Sequence, residues 1–316
     1  MLDLSHLCGW TRDDNAVAAF TAALTATYGA ATFEAGESDL KGHWGRLTGA
    51  GTTHVLAQTF EAQVLKRNLP AEAQRRGTCV ARGTFRACQD AYYYDLATHA
   101  TVGKPVQLCF EPIYGGSRVN IGRGQLGTND GAAGAWAAEF VSTFGLLERA
   151  IYANLDLRQP REELAVLWGN PGQGCPDNLL RLGRSHTVRA HRVMNVDELA
   201  DCIAAGYFAA YCSQMLWGAR DRDGMARPES PGGHCEEIAG VFLTPSGRTA
   251  FVKQQSWGDL PNGPDQLATK SGPLKLRQGS YGAHADDVQR GLDHGGECWC
   301  FKVRTGWRGS INDILT

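Results

Sequence analysis

A cysteine opens an amphipathic stretch at Gly77-Thr78-Cys79. Only far downstream do a histidine, Gly233-His234, and a side-chain amide, Gln255 in Gln255-Ser256-Trp257-Gly258, follow it. For these three to meet, a helix start and a strand start must close on each other across most of the chain. After Cys79, the residues Phe85, Cys88, Tyr92 and Leu96 repeat at helical spacing, which predicts a helix from Cys79 to about Ala97. Unpaired N–H groups and the helix dipole favour a thiolate in such a first turn. The plainer reading is a buried, inert thiol, the usual fate of a free cysteine.

The remaining pattern divides the chain in two. Val17, Phe20, Leu24 and Tyr28 share a stripe, so residues 14–29 are expected to be helical, capped by Asp13 or Asp14 and ended by Gly29. A second helix is expected over 54–68, with Val55, Leu56, Phe60 and Val64 or Leu65 inward, stopped by Pro70. Residues 115–134 are very rich in glycine and read as a loop before a helix from Ala133 to Phe144, which Gly145 caps. Asn195 and Glu198 form a capping-box pattern for a helix over 196–205. Beyond Tyr207, short β-branched and apolar runs (207–213, 238–243, 249–254, 298–304) predict strands. Segment 155–192 carries no firm structural signal. The expected organisation is a helical extension (1–70), a helical lobe with a Gly-rich loop (71–194) and a β-rich lobe (195–316), with a cleft between lobes as the natural site.

With 43% hydrophobic and 20% charged residues over 316 positions, the chain can bury a sizeable core. A formal net charge of -2 leaves no footprint for nucleic acid, so none is expected as a partner. Asp3, His6, Arg12, Asp13 and Asp14 interrupt any signal-like run, and Ile203 to Cys212 is too short to span a bilayer. The expectation is a cytoplasmic protein with no membrane partner. The ten scattered cysteines lack the density of a disulfide framework. The chain opens at Met1, so residues 1–70 are expected to stay attached and could cover a cleft until displaced. Gly122-Arg-Gly124-Gln-Leu-Gly127 matches a dinucleotide fingerprint, but no βαβ rhythm surrounds it, so no nucleotide cofactor is expected. His294, Glu297, Cys298 and Cys300 are competent metal ligands without zinc-site spacing, and the two cysteines are expected to face the core. No metal or other cofactor is expected.

The order Gly-Thr-Cys79, Thr-Asn129-Asp130-Gly131, Gly-His234 and Val-Lys-Gln-Gln255-Ser-Trp257-Gly258 resembles the papain-like cysteine peptidases over roughly residues 71–305. The resemblance implies an α+β, papain-like two-lobed fold, a helical lobe plus a β-barrel-like antiparallel lobe. It implies thiol-dependent hydrolysis of peptide or amide bonds. Cys79 would be the nucleophile and His234 its base, Gln255 would orient the ring, and Trp257 would shield that contact. Gln74 would supply the side-chain oxyanion donor, while Asn129, Asp130 and Gly131 would pair with an extended peptide or protein substrate. Gln255 stands where the family has asparagine, Gln74 is five rather than six residues before the cysteine, and Val80 replaces an aromatic residue. The competing expectation is therefore a catalytically degenerate papain-like module, a binding or structural component of a larger assembly such as a virion or secretion machine.

Overall fold

The computed structural model describes residues 7–99 and 103–303, so the last predicted strand residue and the end of the expected β lobe lie outside it. The helix Cys79–Thr98 is its axis. Most of its side chains are buried on all sides, as expected of a helix running through a core rather than along a surface. It packs across three strands, Phe208–Trp217, Pro228–Leu243 and Glu297–Val303. At Gly83 the approach is so close that a Cβ would lie 3.0 Å from the Cys235 sulfur.

The main sheet has eight strands. In spatial order they are Val188–Arg192, Glu297–Val303, Phe208–Trp217, Pro228–Leu243, Thr249–Gln254, Ser280–His284 and Met225–Ala226, with His54–Leu56 paired onto the long strand. All pairings are antiparallel except the short one between Met225–Ala226 and Ser280–His284. The α+β class is therefore the one expected, but the sheet among the described residues stays open and does not close into a barrel.

Several local expectations hold for the reasons given. Helix Asp14–Tyr28 is capped by the Asp13 side chain and ends at Gly29 in the left-handed region. Asn195 accepts from the Glu198 N–H at the start of Val196–Ala204. Two expectations need correction. Residues 54–56 form a strand rather than a first helical turn, because Val55 and Leu56 lie along the edge of the long strand, and the helix is Ala57–Leu65. The glycine-rich segment is not all loop. A helix Glu111–Gly115 continues as a π-helical turn, Gly116–Ile121, before the chain turns. Glycine permits contacts there that a side chain would block: a Cβ on Gly116 would fall 1.9 Å from the Phe140 ring. The unassigned segment supplies helices Glu162–Trp168 and Asp177–Gly183 and the edge strand Val188–Arg192. No helix among the described residues is long and apolar enough to cross a membrane.

The extension is part of the core, not an appendage. Val17, Phe20 and Leu24 are buried, and the Phe20 ring packs on Trp299 at 5.2 Å. Glu61 joins a buried ionic cluster that ties extension, central helix and sheet together. Arg277 donates to Asp90 (2.5 Å) and Glu237 (2.7 Å), and Arg86 donates to Glu61 (2.6 Å). Three carboxylates against two guanidinium groups would leave a net buried charge. Burial pushes Glu237 well above the usual carboxylate range. Burial also opposes ionisation of Asp90, but Arg277 and Arg86 override it and keep Asp90 charged. Replacing Arg277 with methionine should therefore cost about 3–5 kcal/mol, the typical penalty for orphaning a buried charge partner, read from the urea midpoint. A loss below about 1 kcal/mol would show that the cluster carries little of the interlobe stability.

Candidate active site

Cys79 sits at the N-terminus of the central helix, as its spacing predicts, but it is sealed there. Its side chain is fully buried, with the backbone N–H groups of Gly9 and Cys235 directed so as to favour the thiolate. Burial pushes the thiol far above its ordinary value. The helix dipole supplies about 0.3–1 kcal/mol, less than one pKa unit, whereas complete burial can move a group by 3–5 units. Desolvation wins, and the thiolate expected from the helix position does not form in this state.

The sulfur's contact with the Cys235 N–H brings the strand at His234 to the helix start. Along that strand Cys235 and Glu237 face the central helix, while alternation puts His234 and Glu236 on the opposite face. The His234 ring stacks on Trp257, with centroids 4.1 Å apart and planes 26° apart. Neither ring nitrogen has a hydrogen-bond partner among the described residues, so no bond joins the imidazole to the thiol. Burial pushes His234 down to about 4, leaving it neutral near pH 7. The Gln255 amide is spent elsewhere: its nitrogen donates to the Leu260 carbonyl, and its oxygen is buried without a partner. His234, Trp257 and Gln255 nevertheless line one cavity of about 200 Å³, together with Trp217, Glu229 and Tyr281.

The chain's own N-terminal segment runs against the helix start and the His234 strand. Trp10 N–H donates to the Gly233 carbonyl (3.0 Å), Ala132 N–H to the Gly9 carbonyl (2.8 Å) and Thr11 N–H to the Ala132 carbonyl (3.0 Å). Trp10 and Ala132 thus form a parallel bridge. The Gln74 side-chain nitrogen donates to the Leu7 carbonyl at 2.7 Å, and its oxygen accepts from Ser256. Gly9 lies so tightly on Gly77 that a Cβ there would be 2.1 Å from the Gly77 carbonyl oxygen.

The peptide-pairing backbone is that of Ala132, one residue beyond the Asn129-Asp130-Gly131 run. Gly131, at φ +107°, turns its N–H to the Tyr114 hydroxyl and its carbonyl to Arg118. Asp130 pairs with Arg76 at 2.7 Å, and Asn129 takes part in a turn with Leu126.

Sequence reasoning missed the anchor of this segment. Trp10 Nε1 donates to Glu297 Oε1 (2.9 Å), and Glu297 Oε2 accepts from Trp299 Nε1 (3.2 Å) and the Ala135 N–H (2.8 Å). Glu297 had signal only as a metal-competent side chain. Its place at the start of the last strand, facing the N-terminus of helix Gly134–Thr143, gives it an acceptor's role that no local motif announces, while burial pushes its carboxyl up. Cys298 and Cys300, fully buried, face the core as expected.

No family model matches the chain, and no curated protein does. Its fold is similar to that of xylellain, a cysteine protease from Xylella fastidiosa, with a TM-score of 0.54 and 13% identity. The match covers 96% of this chain and 94% of that one. It is also similar to the proform of the Amb a 11 cysteine protease, a ragweed pollen allergen. There the TM-score is 0.50 and identity 14%, covering 83% of this chain and 61% of that one. At such identities the likeness establishes the papain-like fold.

Three buried imidazoles, His186, His191 and His234, are each pushed down by burial from 6.5 to about 4. The unfolded chain therefore binds more protons than the folded one between those values. Stability from this source is full above pH 6.5 and is lost as pH falls toward 4. Chemical-denaturation midpoints should begin to drop just below pH 6.5, before most carboxylates titrate, and a flat profile from pH 7 to 5 would contradict this.

Proposed function

We propose that the protein is a papain-like thiol hydrolase of peptide or amide bonds, held closed by residues 7–11. Cys79 would attack the carbonyl, His234 would take up and deliver the proton, and Gln74 would support the developing oxyanion. The observation that carries this reading is the occupied groove. An extended peptide lies against the cysteine at a helix start. Its backbone is paired on one side with Ala132 and on the other with Gly233, and one of its carbonyls takes the Gln74 amide. A surface that binds a peptide by main-chain hydrogen bonds beside a thiol can present a different peptide to that thiol once the first one leaves.

Displacement would also reverse the electrostatics. Opening the groove to water lowers the desolvation that now keeps both thiol and imidazole neutral. Each would then move toward the thiolate–imidazolium pair. A closed groove is equally what a degenerate binding module would display. The contacts of Gln74 and the thiol with peptide groups of the occupant are what favour the hydrolase.

Gly9→Val tests the reading directly, because a side chain at that position cannot coexist with the Gly77 carbonyl and must expel the segment. A peptidyl vinyl sulfone should label Cys79 at least about tenfold faster in Gly9→Val than in the unmodified protein, a difference of about 1.4 kcal/mol in barrier. His234→Ala in the same background should abolish the gain, with labelling measured by intact mass. Cys79 that stays unlabelled in folded Gly9→Val would instead leave a binding or structural module.

A further inference from the structure

His234 lacks the orienting hydrogen bond that a catalytic imidazole ordinarily has, since the Gln255 amide is turned to Leu260. A different pair of charged groups lies near it. Glu236 is two residues along the same strand and so on the same face. One of its carboxylate oxygens is bonded to Lys253 Nζ, and the other accepts from the Tyr281 hydroxyl. Lys253 is fully buried and packed against aromatic rings, its ammonium 4.0 Å from the Trp217 centroid and 4.6 Å from that of Tyr211. Lys253 and Tyr281 are direct cross-strand partners, so the three groups are fixed by the register of the sheet.

Such a pair is an expensive way to fill a core. Burying two charges costs several kcal/mol in desolvation, and well-packed apolar residues of similar size commonly serve stability as well or better. Glu236 lines the same cavity as His234, together with the rings of Trp217, Trp257 and Tyr281. We propose that Glu236 and Lys253 are the electrostatic positioning residues of His234, taking the part that Gln255 does not play. Neither touches the reacting atoms. The carboxylate favours the imidazolium and the ammonium opposes it, and their joined field fixes how readily His234 accepts a proton. The other titratable or polar groups lining the cavity or facing the strand there are Glu229 on the same strand, Ser213 across from His234, Gln255 and Tyr281. The proposal rests on the hydrolase reading for its purpose, but its physical content is independent of turnover.

The test is the titration of His234 by NMR of histidine labelled at the ring carbon, with His234→Gln assigning the resonance. Starting from a midpoint of about 4, Lys253→Met leaves the Glu236 charge unopposed and should raise the midpoint by about one unit. Glu236→Gln leaves Lys253 unopposed and should lower it. Opposite shifts support the proposal, because a merely structural role would move both midpoints the same way through partial opening. Equal shifts, or none beyond about 0.2 unit, overturn it. Should either single variant fail to fold, Tyr281→Phe keeps the ion pair and removes one donor from Glu236. A raised midpoint then supports the proposal, and an unchanged one overturns it. Since no substrate enters the measurement, unreactive Cys79 with shifting midpoints would sink only the hydrolase reading, while reactive Cys79 with fixed midpoints would sink only this one.

Discussion

The main-chain pairing of residues 9–11 with Ala132 and Gly233 is the constraint on which the site depends. It closes the gap between the helical lobe, which supplies Ala132 and Cys79, and the sheet, which supplies Gly233 and His234. Backbone bonds of this kind are indifferent to side chains, so the segment needs a further device to fix its register. Trp10 provides it by donating to Glu297, which also receives N–H groups from Trp299 and the start of helix Gly134–Thr143. One carboxylate thereby joins the N-terminal segment, the last strand and the helical lobe.

Closing the groove has an electrostatic consequence. The thiol and the imidazole are both pushed toward neutrality by the same absence of water, in opposite pKa directions. A helix dipole, an attractive device on an exposed turn, is overridden when the turn is sealed. Burial is the largest influence on both groups in this state. The Glu236–Lys253 pair is buried on the strands that carry and neighbour His234.

Much of the architecture was legible from periodicity. The central helix begins at Cys79, Asp13 and Asn195 cap the helices expected of them, and the strands at 249–254 and 298–303 fall where β-branched runs predict them. Those features rest on neighbours in sequence. The misses rest on distant partners. Val55 and Leu56 fit a helical stripe equally well, and only the edge of the long strand makes them β. Gly116 continues a helix instead of breaking it because Phe140 needs its missing Cβ. At the candidate site, order and spacing put Cys79 at a helix start and His234 on a strand, and both lie there. That some part of residues 1–70 could cover a cleft was foreseeable, but not which residues. Nothing local in Cys8-Gly9-Trp10 distinguishes a strand in a groove from an ordinary chain start, and Glu297 gains meaning only once Trp10 reaches it.

The most direct measurement of the closed groove is residue-resolved amide exchange on the intact protein. If the segment is seated as described, the Trp10, Thr11 and Ala132 amides should exchange nearly as slowly as those of the central helix, opening only with larger unfolding. Exchange of those three amides at rates near those of an unfolded chain, while the helix Cys79–Thr98 stays protected, would mean that the groove stands open and that the burial of Cys79 and His234 has another cause.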